Sequence, residues 1–92
     1  MQNEARWHAI IHGRVQGVGF RWFVLKNAGR LELAGWVRNN PDGSVELEAA
    51  GPAAAIAELR KRVAQGPAMA RVDRVEDLPS DTNALPHPFE QR

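Results

Sequence analysis

The sequence predicts an α+β chain in the order β-α-β-β-α-β, with two helices on one face of an antiparallel sheet. Three observations carry that expectation. Apolar residues alternate with polar ones over 6–12 and again over 44–50, the period of a strand with two unlike faces. Two stretches, one beginning at Phe20 and one at Gly51-Pro52, place apolar residues at helical spacing. The tetrad Asn40-Pro41-Asp42-Gly43 is a tight-turn signal, because proline presets φ and glycine tolerates positive φ, and it joins two extended segments into a hairpin.

The first strand, Arg6 to His12, sets Trp7, Ala9 and Ile11 on one face and His8, Ile10 and His12 on the other. A glycine-rich stretch, Gly13 to Gly19, leads into the first helix. Its stripe is Phe20, Phe23, Val24, Ala28 and Leu31, with Gly29 at or near its end. Leu33 to Asn39 is the second strand, with Leu33, Gly35 and Val37 facing the helices and Asn39 on the same parity. In Ser44 to Ala50, Val45, Leu47 and Ala49 face inward, and Glu46 and Glu48 are expected on a solvated outer face. Proline suits the first turn of the second helix, whose inner face is Ile56, Leu59 and Val63 and whose stop is Gly66-Pro67. Arg60-Lys61-Arg62 reads as a solvated basic run beside Glu58. Arg71 to Leu78 is extended, but Val72 and Val75 are out of phase and leave its register open. Pro79 to Pro88 reads as loop and Phe89 to Arg92 as a short terminal strand. The whole is the split βαβ arrangement of the ferredoxin-like fold.

A chain of 92 residues has room for one core, so residues 1–92 are expected to form one domain. With no cysteine, disulfides, thiolate nucleophiles, zinc fingers and iron–sulfur ligation are excluded. No apolar stretch approaches the ~20 residues of a membrane span, and the polar start, Met1 to Arg6, has no signal-peptide core behind it. A cytoplasmic protein without a membrane partner is expected. The net charge of +1 gives no general case for nucleic-acid binding. Its distribution is uneven: residues 1–40 hold six Lys/Arg against two Asp/Glu, which directs the search for an anion site to the first part of the chain.

The informative segment there is Gly13-Arg14-Val15-Gln16-Gly17-Val18-Gly19-Phe20-Arg21, between a strand and a helix. Glycines let the backbone curl and leave N–H groups free, the helix start adds its own unpaired N–H groups, and Arg21 adds a guanidinium able to grip two oxygens. These parts suit a phosphate or carboxylate. The Walker pattern fails for want of a lysine, and the dinucleotide fingerprint fails because Trp22 stands where its third glycine belongs. On glycine spacing alone the segment reads equally as a flexible connection with a solvated arginine. Asn39, at the end of the second strand, has an amide that could orient a water beside a bound phosphate. Taken alone, Asn39 and Asn40 read more simply as turn residues.

Together, GRVQGVGFR at 13–21 and GWVRNNPDGSV at 35–45 resemble the acylphosphatase family. The likeness continues through VELEAAGP at 45–52, the second helix and ARVDRV at 70–75. The resemblance implies hydrolysis of acyl phosphates to a carboxylate and inorganic phosphate, with neither metal nor cofactor. It implies that Arg21 binds the phosphate, that Asn39 orients the attacking water, and that Val15, Gln16, Gly17, Val18, Gly19 and Phe20 supply backbone N–H donors. The sequence departs from the family at its end, where Glu90, Gln91 and Arg92 follow Phe89, and Gln91 argues against a well-buried edge strand.

Other residues read more plainly. His8 and His12 lie roughly 13 Å apart on a strand and cannot share a metal. Trp22 lies off the helix stripe, either beside a substrate's acyl part or against a neighbouring loop. Trp7 and Trp36 read as packing residues. Ser44 and Ser80 lack the pattern of a nucleophile elbow. The competing function is a non-catalytic ferredoxin-like module binding an anion or RNA. A four-stranded RNA-binding sheet needs exposed aromatics on its central strands, and only Trp36 could serve. A monomer is the simplest expectation.

Overall fold

The computed structural model describes residues 3–80 and 83–92. The loop expected over 79–88 and the polar start therefore lie in part outside the described residues. The elements are β1 (Glu4–Arg14), α1 (Phe20–Arg30), β2 (Ala34–Asn39), β3 (Val45–Pro52), α2 (Ala53–Gln65), β4 (Arg71–Leu78) and β5 (Glu90–Gln91). They form a sheet in the order β4-β1-β3-β2-β5. β1 pairs antiparallel with β3 and β4, and β2 pairs antiparallel with β3. The expectation of a wholly antiparallel sheet needs one correction, because the two-residue β5 runs parallel to β2. Gln91 does not bury itself there. The edge is held instead by Phe89, which enters the core, and by the Arg92 N–H, which donates to the Val37 carbonyl at 2.8 Å.

Both helices bury their stripes against the face formed by Trp7, Ala9, Ile11, Val37, Val45, Leu47 and Ala49. Phe20, Val24 and Ala28 of α1 and Ile56, Leu59 and Val63 of α2 are buried as the spacing predicts. Gly29 sits inside α1, which ends one residue later. α2 begins only after Pro52, whose predecessors continue β3. Asn27 is a buried polar residue in α1 that periodicity does not single out. Its Nδ2 donates to the Phe23 carbonyl, and its Oδ1 accepts from the Arg62 guanidinium at 2.7 Å, joining the two helices.

The irregular phase of β4 has a local cause. The β1–β4 register shifts between His12 and Gly13, so that His12 opposes Arg74 while Gly13 opposes Val72. This bulge leaves one extra residue on β4 and turns both Val72 and Val75 toward the core.

One surface reading is extended and another is corrected. Arg60 and Arg62 are not merely solvated. Arg60 pairs with Asp77 at 3.1 Å and lies over the Trp7 ring, and Arg62 pairs with Glu58 at 2.8 Å. On the open face of the sheet, Glu46 and Glu48 are buried rather than solvated. Glu46 meets His8 Nε2 at 2.6 Å, the Arg38 guanidinium at 3.0 Å and Asn40 Nδ2 at 3.2 Å. Glu48 accepts from Arg6 and from the Ser80 hydroxyl. Alternation placed these carboxylates on the outer face correctly, but their cationic partners come from other strands and cover them.

This cluster makes stability pH-dependent. Burial disfavours the His8 imidazolium, but its hydrogen bonds to Glu46 and to the Pro79 carbonyl outweigh burial and raise its pKa above 6.5. Burial alone would raise the Glu46 pKa. The hydrogen bonds from His8, Arg38 and Asn40 prevail and lower it below 4.5. The Glu46 contribution is therefore lost as pH falls through its depressed folded value. The His8 contribution is complete below the unfolded value and is lost as pH rises through the raised folded one. The stability difference between wild type and His8→Gln, measured by urea unfolding, should be largest between about pH 5 and 6.5 and shrink at higher pH. A difference independent of pH would contradict this account.

Candidate active site

The loop after β1 curls back toward the end of β2. Gly17 and Gly19 take left-handed conformations, with φ of 73° and 77°. A Cβ at either would meet nothing within 4 Å, so positive φ rather than space is what calls for glycine. Val15 and Phe20 are buried at the two ends of the loop and anchor it to the core. Within the described residues, the backbone N–H groups of residues 16–22 have no backbone hydrogen bond. The first satisfied N–H of α1 is that of Phe23, bonded to the Gly19 carbonyl at 3.0 Å. Unspent donors thus gather at the positive end of a helix that carries no acidic residue in its first turn.

These groups border a cavity of about 150 Å³ lined by Val15, Gln16, Gly17, Gly19, Phe20, Arg21, Trp22, Asn39 and Gln91. Of the candidate residues, the cavity leaves out only Val18, which packs against the core instead. Arg21 comes from the first turn of α1 and Asn39 from the last position of β2, so two different elements bring them to one place. One Arg21 nitrogen donates to the main-chain oxygen of Arg92 at 2.9 Å, which steadies the guanidinium and leaves its other donors available. Asn39 keeps the parity assigned to it. Lying at the strand's end, however, it is exposed, and its amide has no partner among the described residues.

Neighbouring side chains are already committed. Asn40 Nδ2 donates to the Ser44 hydroxyl and to Glu46. Asp42 accepts from the Ser44 N–H at 2.9 Å and from its hydroxyl at 2.6 Å, and these bonds lower its pKa. The expectation that Asn40 serves only the turn is thereby enlarged, since its side chain also reaches the open-face cluster. Neither Ser44 nor Ser80 lines the cavity. Trp22 stands at the rim, 58% exposed, with the Lys26 ammonium 4.8 Å from its ring centroid. Gln91 is the lining residue that the sequence did not mark. Its place depends on the parallel pairing of β5 with β2, which no local pattern announces.

A family model described as acylphosphatase matches residues 7–90. The chain belongs to the acylphosphatase family, and so to a family of hydrolases. An acylphosphatase of Nitrobacter hamburgensis is 57% identical over 75 residues, spanning 82% of this chain and 76% of that one. One of Salinibacter ruber is 55% identical over 73 residues, spanning 79% and 77%. The crystal structure of acylphosphatase from Bacillus subtilis superimposes with a TM-score of 0.88 at 38% identity, covering 95% of this chain and 97% of that one. Family and fold together support acyl phosphate hydrolysis as the activity.

Proposed function

We propose that the cavity hydrolyses acyl phosphates by attack of water on phosphorus. The phosphoryl oxygens sit among the loop N–H groups of residues 15–20 and against Arg21. The Asn39 amide orients the water, and the carboxylate departs. The observation that carries this reading is that Arg21 and the uncommitted Asn39 amide line the same small cavity as a loop with unspent N–H donors. An acyl phosphate already has a good leaving group, so positioning and charge stabilisation are the main requirements. Trp22, exposed at the rim, flanks the acyl part. The same reading has residues 1–92 act as one domain and as a monomer in the cytoplasm, without cofactor, metal, nucleic-acid or membrane partner. Among the described residues no helix is long and apolar enough to cross a membrane, and no three His, Asp or Glu side chains gather as metal ligands.

The RNA-binding alternative loses support at Trp36. That ring is only 8% exposed, flanked by the Arg38 and Arg92 guanidinium groups at 5.0 and 5.4 Å, and it stands on β2 rather than on central β1 or β3. The open face of central β1 and β3 carries no Phe, Tyr or Trp, and its two imidazoles, His8 and His12, are already bonded to Glu46 and Glu76.

Inorganic phosphate tests the site. As product it should compete with substrate, and at about 100 times its Kd it should stabilise the fold by about 2.7 kcal/mol. Turnover should be unchanged by EDTA. If saturating phosphate shifted neither rate nor Tm, the cavity would not be the site. Loss of activity to EDTA, restored by a divalent ion, would sink the metal-free mechanism.

A further inference from the structure

Gln16 lies within the loop and lines the cavity, and its side-chain amide is committed to the neighbouring turn. Its Nε2 donates to two main-chain oxygens of the β2–β3 turn, those of Asn40 and Ser44, both at 2.8 Å. The turn so gripped begins one residue after Asn39. We propose that Gln16 is a positioning residue, a strap that fixes the distance between the phosphate-holding loop and the Asn39 amide. The inference rests on the proposed roles of that loop and of Asn39.

The hydrogen-bond pattern favours positioning over simple stabilisation. Each gripped carbonyl has another donor: Asn40 O accepts from the Gly43 N–H at 3.2 Å, and Ser44 O accepts from the Asn40 N–H at 2.9 Å. Removing the Gln16 amide therefore orphans neither oxygen, and the turn keeps its own closure. The far side of the same turn is held independently, through Asn40 Nδ2, Ser44 and Glu46. What only Gln16 provides, among the described side chains, is a hydrogen bond from the loop to the turn. Without it the anion cradle and Arg21 remain, but the water-orienting amide is no longer held in register with them. Catalysis is sensitive to such displacements, since a misplacement of about 1 Å can cost a factor of roughly 100.

The test is a double-mutant cycle on kcat, with phosphate affinity as the second readout. Gln16→Met keeps the length of the side chain and removes both donors. It should lower kcat roughly 10- to 100-fold while leaving the Kd for inorganic phosphate within about threefold. In the Asn39→Ala background it should cost nothing further, because a residue that acts through Asn39 has no effect once that amide is gone. Should Gln16→Met fail to fold, Gln16→Lys, which keeps a donor, should turn over faster than Gln16→Glu, which has none. The strap is overturned if Asn39→Ala is impaired while Gln16→Met is as fast as wild type. It is also overturned if Gln16→Met slows the Asn39→Ala enzyme as much as it slows wild type, or if phosphate affinity falls in step with kcat. Unimpaired turnover by Asn39→Ala would instead overturn the underlying reading of the site.

Discussion

Arg21→Ala should lose substrate binding and turnover together. In the proposed mechanism the guanidinium holds phosphoryl oxygens in the ground state and in the transition state alike, so its removal weakens both. Loss of a charge-assisted, two-point contact should cost at least ~2–3 kcal/mol, roughly 30- to 140-fold in affinity for inorganic phosphate. The fold should tolerate the change. Arg21 is only half-buried, and its one hydrogen bond among the described residues is to the main-chain oxygen of Arg92. Calorimetric titration with phosphate, alongside kcat and KM for a simple acyl phosphate, separates the two effects. Normal phosphate affinity in this variant would remove Arg21 from the site.

Asn39→Ala should behave differently. An amide that orients water contributes mainly in the transition state, so kcat should fall by ~100-fold or more while phosphate affinity stays nearly intact. Stability should also hold, because the Asn39 side chain is exposed and makes no hydrogen bond among the described residues. Asn40→Ala is the informative neighbour. Its side chain supports Ser44 and Glu46, so the variant should be less stable yet keep most of its turnover. If Asn40→Ala were inactive and Asn39→Ala active, the strand parity placing Asn39 toward the cavity would be off by one. Nearly normal turnover in both, with phosphate binding abolished in Arg21→Ala, would describe a binding module rather than an enzyme.

The sequence was most legible where one segment carries its own information. The alternation in β1 and β3, the stripe Phe20-Val24-Ala28 and the turn at Asn40 to Gly43 each specify local structure, and the structure keeps them. By residue type the loop from Val15 to Arg21 pointed to a site, and the structure brings all of it but Val18 to one cavity with Asn39. What stayed hidden depends on partners distant in sequence. Glu46 reads as a solvated strand residue until His8, Arg38 and Asn40 are seen to converge on it. Val72 and Val75 conflict in phase until the bulge opposite Gly13 is located. Gln16 reads as one more loop residue until its amide is found on the carbonyls of Asn40 and Ser44. Gln91 enters the cavity through a parallel pairing of only two residues.

The central claim is that this cavity holds a phosphoryl group and delivers water to it. Turnover of a simple acyl phosphate in water enriched in oxygen-18, with mass spectrometry of both products, tests it most directly. Attack on phosphorus beside Asn39 predicts the label in inorganic phosphate and none in the carboxylate. Label in the carboxylate would mean that water attacks the carbonyl carbon, and the roles given to Arg21, Asn39 and the loop would be contradicted.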